Sequence, residues 1–522
     1  MLFLKINLEN IPIMYYFLLL LVSCGTKSSN DLIDVDIEFK NHYYVDASGG
    51  SDSNTGNSPD SAWKSLYKVS SFTFLPGDKL FFKSGEVWNG QLQLKGSGNE
   101  GKPIVLDQYG DGSKPIINGG GVSTNSGATL LLKNIQFWEI NNLELTNTNG
   151  NTNYQGDLWA ILGQLDKAGG IEAKHIYIRD CYIHDVNGKV ATKTTGGIYM
   201  TAFGNDPSRY NDLRIENNVI DNVGGLGIAN QSSFASITSN SRYPSLNIII
   251  KGNIISNTGR NNIIIRASDG AVVEHNTLIN SSRYDTGHSI FCFNTVGVKI
   301  QFNEAYGNKG PGDKDRGGFD ADYNSKNTLI QYNYSHDNQW GFGIMKRSIN
   351  ENVVIRYNIS ENDDTAIYFF GFNNRTGNTK VSIYNNTHFI KSGIKLSVFG
   401  SGSVGRTAYN ADFYNNIFYF EETGSNWGSI GSLVNFSNNC FYNISPKGES
   451  YTTADPLFIN PNSGVSDIKW SQYPNVLKGY HLKQDSPLIG LGKTIQNNGG
   501  KDFWGNTLYN DKPDIGAFEL TN

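Results

Sequence analysis

Short phrases of alternating apolar and polar residues recur along the middle of the chain, each closing on Asn or a residue standing in for it. They read IYIRDC (176–181), LRIENN (213–218), IIIKGN (248–253), AVVEHN (271–276), VKIQFN (298–303), TLIQYN (328–333), VVIRYN (353–358), VSIYNN (381–386) and ADFYNN (411–416). Their last residues are 37, 35, 23, 27, 30, 25, 28 and 30 apart, by subtraction of those positions. The phrases alternate, as in Val298, Ile300 and Phe302, and lack the i, i+3, i+4 spacing of helices. A strand-like unit repeated every twenty to forty residues predicts a solenoid.

Each unit has further parts. A second Asn follows the first by four or five residues, as in Asn253/Asn257, Asn303/Asn308 and Asn333/Asn338. A third run then opens on a small residue followed by a bulky one: GGIYMT (196–201), LGIANQ (226–231), HSIFCF (288–293), GGFDAD (317–322), TAIYFF (365–370) and SGIKLS (392–397). Three short parallel strands per coil make a single right-handed parallel β-helix, an all-β fold. Asn suits its corners, because it tolerates the left-handed turn and its amide both donates and accepts between coils. Uneven spacing then reflects loops of different length leaving a constant coil. Ala62–Ser71 (AWKSLYKVSS) is expected to form a short amphipathic cap over the N-terminal open edge.

Aligning the third runs at Ile198, Ile228, Ile263, Ile290, Phe319, Ile367 and Ile394 sorts their outward residues into columns. Arg266, Asp320 and Asp322 then fall on the middle coils, with Lys346 or Arg347 from GFGIMKR (341–347) and with His288 just before its strand. Tyr199, Gln231, Phe293, Tyr368 and Phe370 flank them as sugar-binding candidates. The long excursions Gly307–Gly317 and Asp157–Gly170 are expected to wall a groove. Asp320 and Asp322 share a side of one strand, with Cα atoms ~6.5–7 Å apart. Such a pair suits glycoside hydrolysis, or two ligands for Ca²⁺. His288 is a candidate acid or base near neutral pH. His336 occupies a turn slot and reads as structural; His175 and His275 lie in other strands.

Composition narrows the partners. With 43 basic and 48 acidic residues among 522, the chain has no basic excess for nucleic acid. Tyr and Phe, 28 of each, suit sugar rings as well as the coil interior. Of four cysteines, Cys181, Cys292 and Cys440 fall in or beside strands and read as buried thiols without CxxC spacing.

The ends carry resemblances. Ile13–Val22 is apolar but short for a membrane span. It runs into Leu21-Val22-Ser23-Cys24-Gly25, which resembles a bacterial lipobox. That resemblance implies a signal peptide over 1–23, lipidation of Cys24, an acidic tether over 24–41, and retention at the outer membrane, facing the periplasm or the cell surface. The remaining 42–522 is assigned to the β-helix. Pro76-Gly77-Asp78 with its Gly-rich surroundings, and the closing segments DPLF (455–458), DSPLI (485–489) and PDIGAFE (513–519), resemble the pectate-lyase-like family of carbohydrate-active β-helix proteins. The family implies a monomer acting on an acidic polysaccharide or its oligosaccharides in a polysaccharide-utilisation system.

The leading expectation is therefore β-elimination on a uronate, by a polysaccharide lyase or a dehydratase of the kind that acts on ulvan oligosaccharides. Arg266, Lys346, Arg347 or a Ca²⁺ on Asp320 and Asp322 would neutralise the carboxylate, and His288, Lys346 or a Tyr would take the proton. Where pectate lyases often carry a basic residue, GGFDAD carries acids. The alternatives are a glycoside hydrolase using Asp320 and Asp322, and a surface glycan-binding protein without catalysis. Replacement of Cys24 by Ala is expected to move the protein from the membrane to the soluble fraction, read by fractionation and blotting; an unchanged membrane fraction would refute the lipid anchor.

Overall fold

A computed structural model describes residues 41–121, 126–151, 156–311, 315–345, 349–371, 380–400, 410–463, 470–508 and 512–521. Cys24, the signal peptide, Lys346 and Arg347 lie outside the described residues. The rest form a right-handed parallel β-helix of three long sheets, with 15, 13 and 10 strands. One coil shows the plan: Lys299–Gln301 in the first sheet, Glu304–Tyr306 in the second and Gly317–Ala321 in the third. Each strand pairs in parallel with its equivalent one coil away, as in Ile300↔Ile330 and Phe319↔Phe342. The short helix Leu66–Ser71 lies in the predicted cap, its Ser65 Oγ accepting from Lys68 N.

The sequence periodicity has a direct structural cause. Asn218, Asn253, Asn276, Asn303, Asn333, Asn358, Asn386, Asn416 and Asn439 stack in one buried column. The Oδ1 of each from Asn253 onward accepts from both the backbone N–H and the Nδ2 of its predecessor, at 2.9 to 3.1 Å. Cys181 begins the column by donating its backbone N–H to Asn218 Oδ1. The column also includes Asn439, one coil beyond the nine phrases. The residue before each Asn takes a left-handed conformation even where it is bulky, as at Phe302, Tyr332 and Tyr357.

The C-terminal segment explains how those aromatics are tolerated. It lies along the corner between the first two sheets, where Tyr332 Oη donates to Lys501 O and Asn385 Nδ2 to Gly516 O. Trp470 and Tyr473 pack edge-on to Phe302. The buried side chains of Tyr332, Tyr357, Phe503 and Ile515 form a satellite core beside the main interior of stacked Ile, Leu, Val and Phe.

The register corrects one feature of the sequence alignment. Tyr368, not Ile367, pairs with Phe342. In preceding coils the position before the first bulky core residue is small or polar: Gly197, Gly227, Asn262, Ser289, Gly318 and Gly341. This coil has Ile367 there, so counting from the first apolar residue slips by one. Tyr368 and Phe370 consequently point into the core, and Tyr368 Oη bonds His388 Nε2 at 2.9 Å. Tyr368 is thus removed from the sugar-binding candidates. Asp157–Gly170 also differs from expectation: Trp159–Leu165 is a strand of the third sheet, not a wall.

Asn333→Ala would leave the Asn303 N–H and the Ile300 carbonyl without their bonds in a dry column. A loss of about 2–4 kcal/mol is expected in chemical denaturation; Asn352→Ala, at an exposed turn, should cost well under half of that.

Candidate active site

The third sheet brings the chemistry together. Phe319 and Ala321 face the core, so Asp320 and Asp322 face outward. Asp320 aligns with Phe291 on one neighbouring coil and Gly343 on the other. A Cβ on Gly343 would sit 2.8 Å from Asp320 Oδ1, so this glycine makes room for the carboxyl. His288 Nε2 lies 3.3 Å from Asp320 Oδ2 and 3.7 Å from Asp315 Oδ1. Asp315 is brought over His288 because its carbonyl accepts from Gly287 N at 2.6 Å.

Hydrogen bonding fixes the state of His288. Its Nδ1 accepts from Gly317 N at 3.0 Å, which places the neutral ring's proton on Nε2, facing the carboxylates. Burial holds its pKa down to about 4, against the opposing influence of Asp315. His288 is therefore a buried neutral imidazole whose Nε2 faces Asp320 and Asp315 without completing a hydrogen bond, which corrects its expected role as an acid or base near neutral pH. Asp320 is 1% exposed, and burial followed by the charges of Asp322 and Asp315 raises its pKa well above the usual carboxylate range. This also amends the sequence reading: Asp320 is on the expected face but sealed beneath it. The carboxylates that solvent reaches are Asp315, whose side chain is 35% exposed, and half-buried Asp322.

Basic groups border this cluster. Lys193 Nζ lies 3.8 Å from Asp315 Oδ2 and 4.8 Å from the centre of the Phe291 ring. It also interacts electrostatically with Asp322, as does Arg266. Arg266 shares a hydrogen bond with the Tyr199 hydroxyl and donates from Nη1 to Lys193 O at 2.9 Å. Tyr199 packs with Leu162, Ile264 and Phe291 and is 7% exposed, so its ring face is covered rather than open to a sugar. Gln231 and Phe293 are half-buried, Gln231 with a buried Oε1 lacking a partner and Phe293 edge-on to Tyr323. Trp340 stacks on Phe369 and meets His288 edge-on.

The structure thus gathers Arg266, His288, Asp320 and Asp322. Asp315 and Lys193, not selected from the sequence, belong with them. Asp315 stood inside the excursion Gly307–Gly317, so the loop was visible but the residue was not singled out. Lys193 had no signal, because its loop reaches the site from two coils before Arg266. Among the described residues no group of three or more His, Cys, Asp or Glu side chains has metal-binding geometry.

Comparison with known proteins redirects the chemistry. A model of the family described as "Disaggregatase related" matches residues 140–282. A lacto-N-biosidase of Bifidobacterium longum subsp. longum is 27% identical, over 91% of this chain and 36% of that protein. The chain thus spans about a third of the length of this curated relative. The crystal structure of a GH136 lacto-N-biosidase from Eubacterium ramulus is 23% identical with a TM-score of 0.62, covering 72% of this chain and 67% of that one. A PL6 family alginate lyase, AlyGC, is 16% identical with a TM-score of 0.53, over 81% of this chain and 56% of its own. At those identities the two solved structures share the fold. The relative with the higher sequence identity is a glycoside hydrolase. The expected carbon–oxygen lyase and its β-elimination are therefore corrected: the lyase likeness came from the scaffold, which serves both reactions.

The His288 assignment has a measurable consequence. An unfolded imidazole gains its proton near pH ~6.5, whereas His288 in the fold resists until about pH 4. Acid therefore favours the unfolded chain across that window. Imidazole ¹⁵N spectra should show His288 neutral and protonated on Nε2 from pH 8 to 5; a titration near pH 6.5 would refute the assignment.

Proposed function

We propose that the chain is a glycoside hydrolase acting on oligosaccharides, by removal of a lacto-N-biose-type disaccharide. The observation that carries this reading is the convergence of Asp315, Asp320 and Asp322 beside Lys193 on one outward face. The B. longum relative supports the substrate class.

Glycoside hydrolysis needs one carboxyl group to protonate the leaving oxygen and a second, ionised one on the other side of the bond. Asp315 and Asp322 are the accessible members and take these roles. Lys193 stands beside both of them, and Arg266 interacts with Asp322. Between them the two aspartates supply the proton donor and the ionised partner. Asp320 stays protonated beneath them, which relieves the repulsion of three adjacent negative charges. His288 lies behind Asp315 and Asp320 and fills the space beneath them. A lipid anchor on Cys24 at the outer membrane would place this site where glycans arrive, with the chain acting as a monomer.

Release of disaccharide from a chromogenic lacto-N-bioside tests the reading. Asp322→Asn and Asp315→Asn are each expected to lower kcat by roughly 10²–10⁴-fold, with folding unchanged by circular dichroism. Hydrolysis of other glycosides but not this one would overturn the substrate class; full activity in both variants would overturn the site.

A further inference from the structure

A stretch between two strands, residues 187–195, lies across the outward face of the third sheet, and residues distant in sequence bind its backbone. Arg260 Nη1 donates to Val190 O at 3.3 Å and Ala191 O at 3.4 Å. Arg266 Nη1 donates to Lys193 O at 2.9 Å, and Trp159 Nε1 to Thr194 O at 2.6 Å. Thr195 Oγ1 closes the loop on Lys189 O at 2.6 Å. A buried guanidinium is costly to desolvate and is ordinarily matched to a carboxylate. Arg260 does pair with Asp285 at 2.5 Å, yet it also turns to these carbonyls from about seventy residues away. The side chain so delivered is Lys193, whose ammonium rests over Phe291 and faces Asp315 and Asp322.

We propose that residues 187–195 are a strap clamped by Arg260 and Arg266, and that Lys193 is a positioning residue which holds Asp315 and Asp322 apart and in their charge states for hydrolysis. This rests on the hydrolase reading and adds to it a cation that touches no reacting bond. Without the ammonium, Asp315, Asp320 and Asp322 face one another with Arg260, Arg266 and Arg316 as the neighbouring cations among the described residues, and with His288 neutral. The crowded carboxylates then hold their protons to higher pH. Arg266 thereby acts through the strap and the charge of Asp322, not as the carboxylate neutraliser first expected.

Two measurements on the full chain decide this. Lys193→Met is expected to lower kcat by about 10²-fold, with KM little changed, and to move the acidic limb of the kcat/KM profile to higher pH. Lys193→Arg should restore most of the rate and the limb. Loss of rate with an unmoved limb, or no loss, would overturn the positioning role. Separately, limited proteolysis should leave residues 187–195 intact in the wild type and cut them in Arg266→Gln. Equal protection in both would overturn the clamp whether or not the protein is active. A wild type that cleaves no glycoside would overturn the hydrolase reading, and with it the role of Lys193, but not the clamp.

Discussion

A buried amide column holds this molecule in register. Each Asn from Asn253 to Asn439 satisfies a backbone N–H and an Nδ2 of the coil before it, while the Nδ2 of each from Asn218 onward reaches a carbonyl such as Ile178 O or Ile215 O. A corner that turned without those bonds would bury unpaired donors and acceptors at about 1–3 kcal/mol each. Because a one-residue slip of any strand turns its core side inside out, the column also decides which side chains face the groove. The positions of Asp320, Phe291 and Ile264 in one outward row follow from a constraint on the opposite side of the coil.

That separation of duties explains why the scaffold tolerates such a crowded site. Asp315, Asp320 and Asp322 repel one another, and Asp320 has an oxygen buried without a partner. A fold held together by this cluster would discard it. Here the cluster sits outside the sheet, while the interior of stacked Ile and Phe and the amide column keep the strands together. The same latitude appears where the second polar column changes from Asn338 to Asp363, whose buried carboxyl is pushed up to about 7. Two serine hydroxyls and the Asn338 N–H satisfy it.

The fold was legible because its cause repeats. Nine copies of one phrase report the same corner, so no single noisy copy misleads. The candidate site was legible only where a strand carried it: Arg266, Asp320 and Asp322 were found by register. Tyr368 was misplaced because Ile367 fills a position that other coils leave small, and a pattern read by size counts from the wrong residue. His288 was found, but its chemistry was misjudged. The Gly317 N–H that fixes its tautomer comes from the next coil and leaves no mark beside His288 in the sequence. Lys193 and Asp315 sit on loops, where a side chain's destination depends on distant partners such as Arg266 and Gly287.

The reaction class was misread for a related reason. Periodicity and end segments describe the scaffold, and a β-helix presents outward columns to any glycan chemistry. Elimination asks for a base beside a neutralised carboxylate; hydrolysis asks for two carboxyl groups held in different protonation states. Arg266 beside two aspartates fits either demand when the residues are only placed on a face. Burial separates them. His288, the candidate base, has its Nδ1 occupied and its Nε2 protonated, while the acids divide into one sealed group and two half-buried ones. Acids of unequal burial beside an imidazole kept neutral down to about pH 4 meet the demand of hydrolysis more closely than that of elimination.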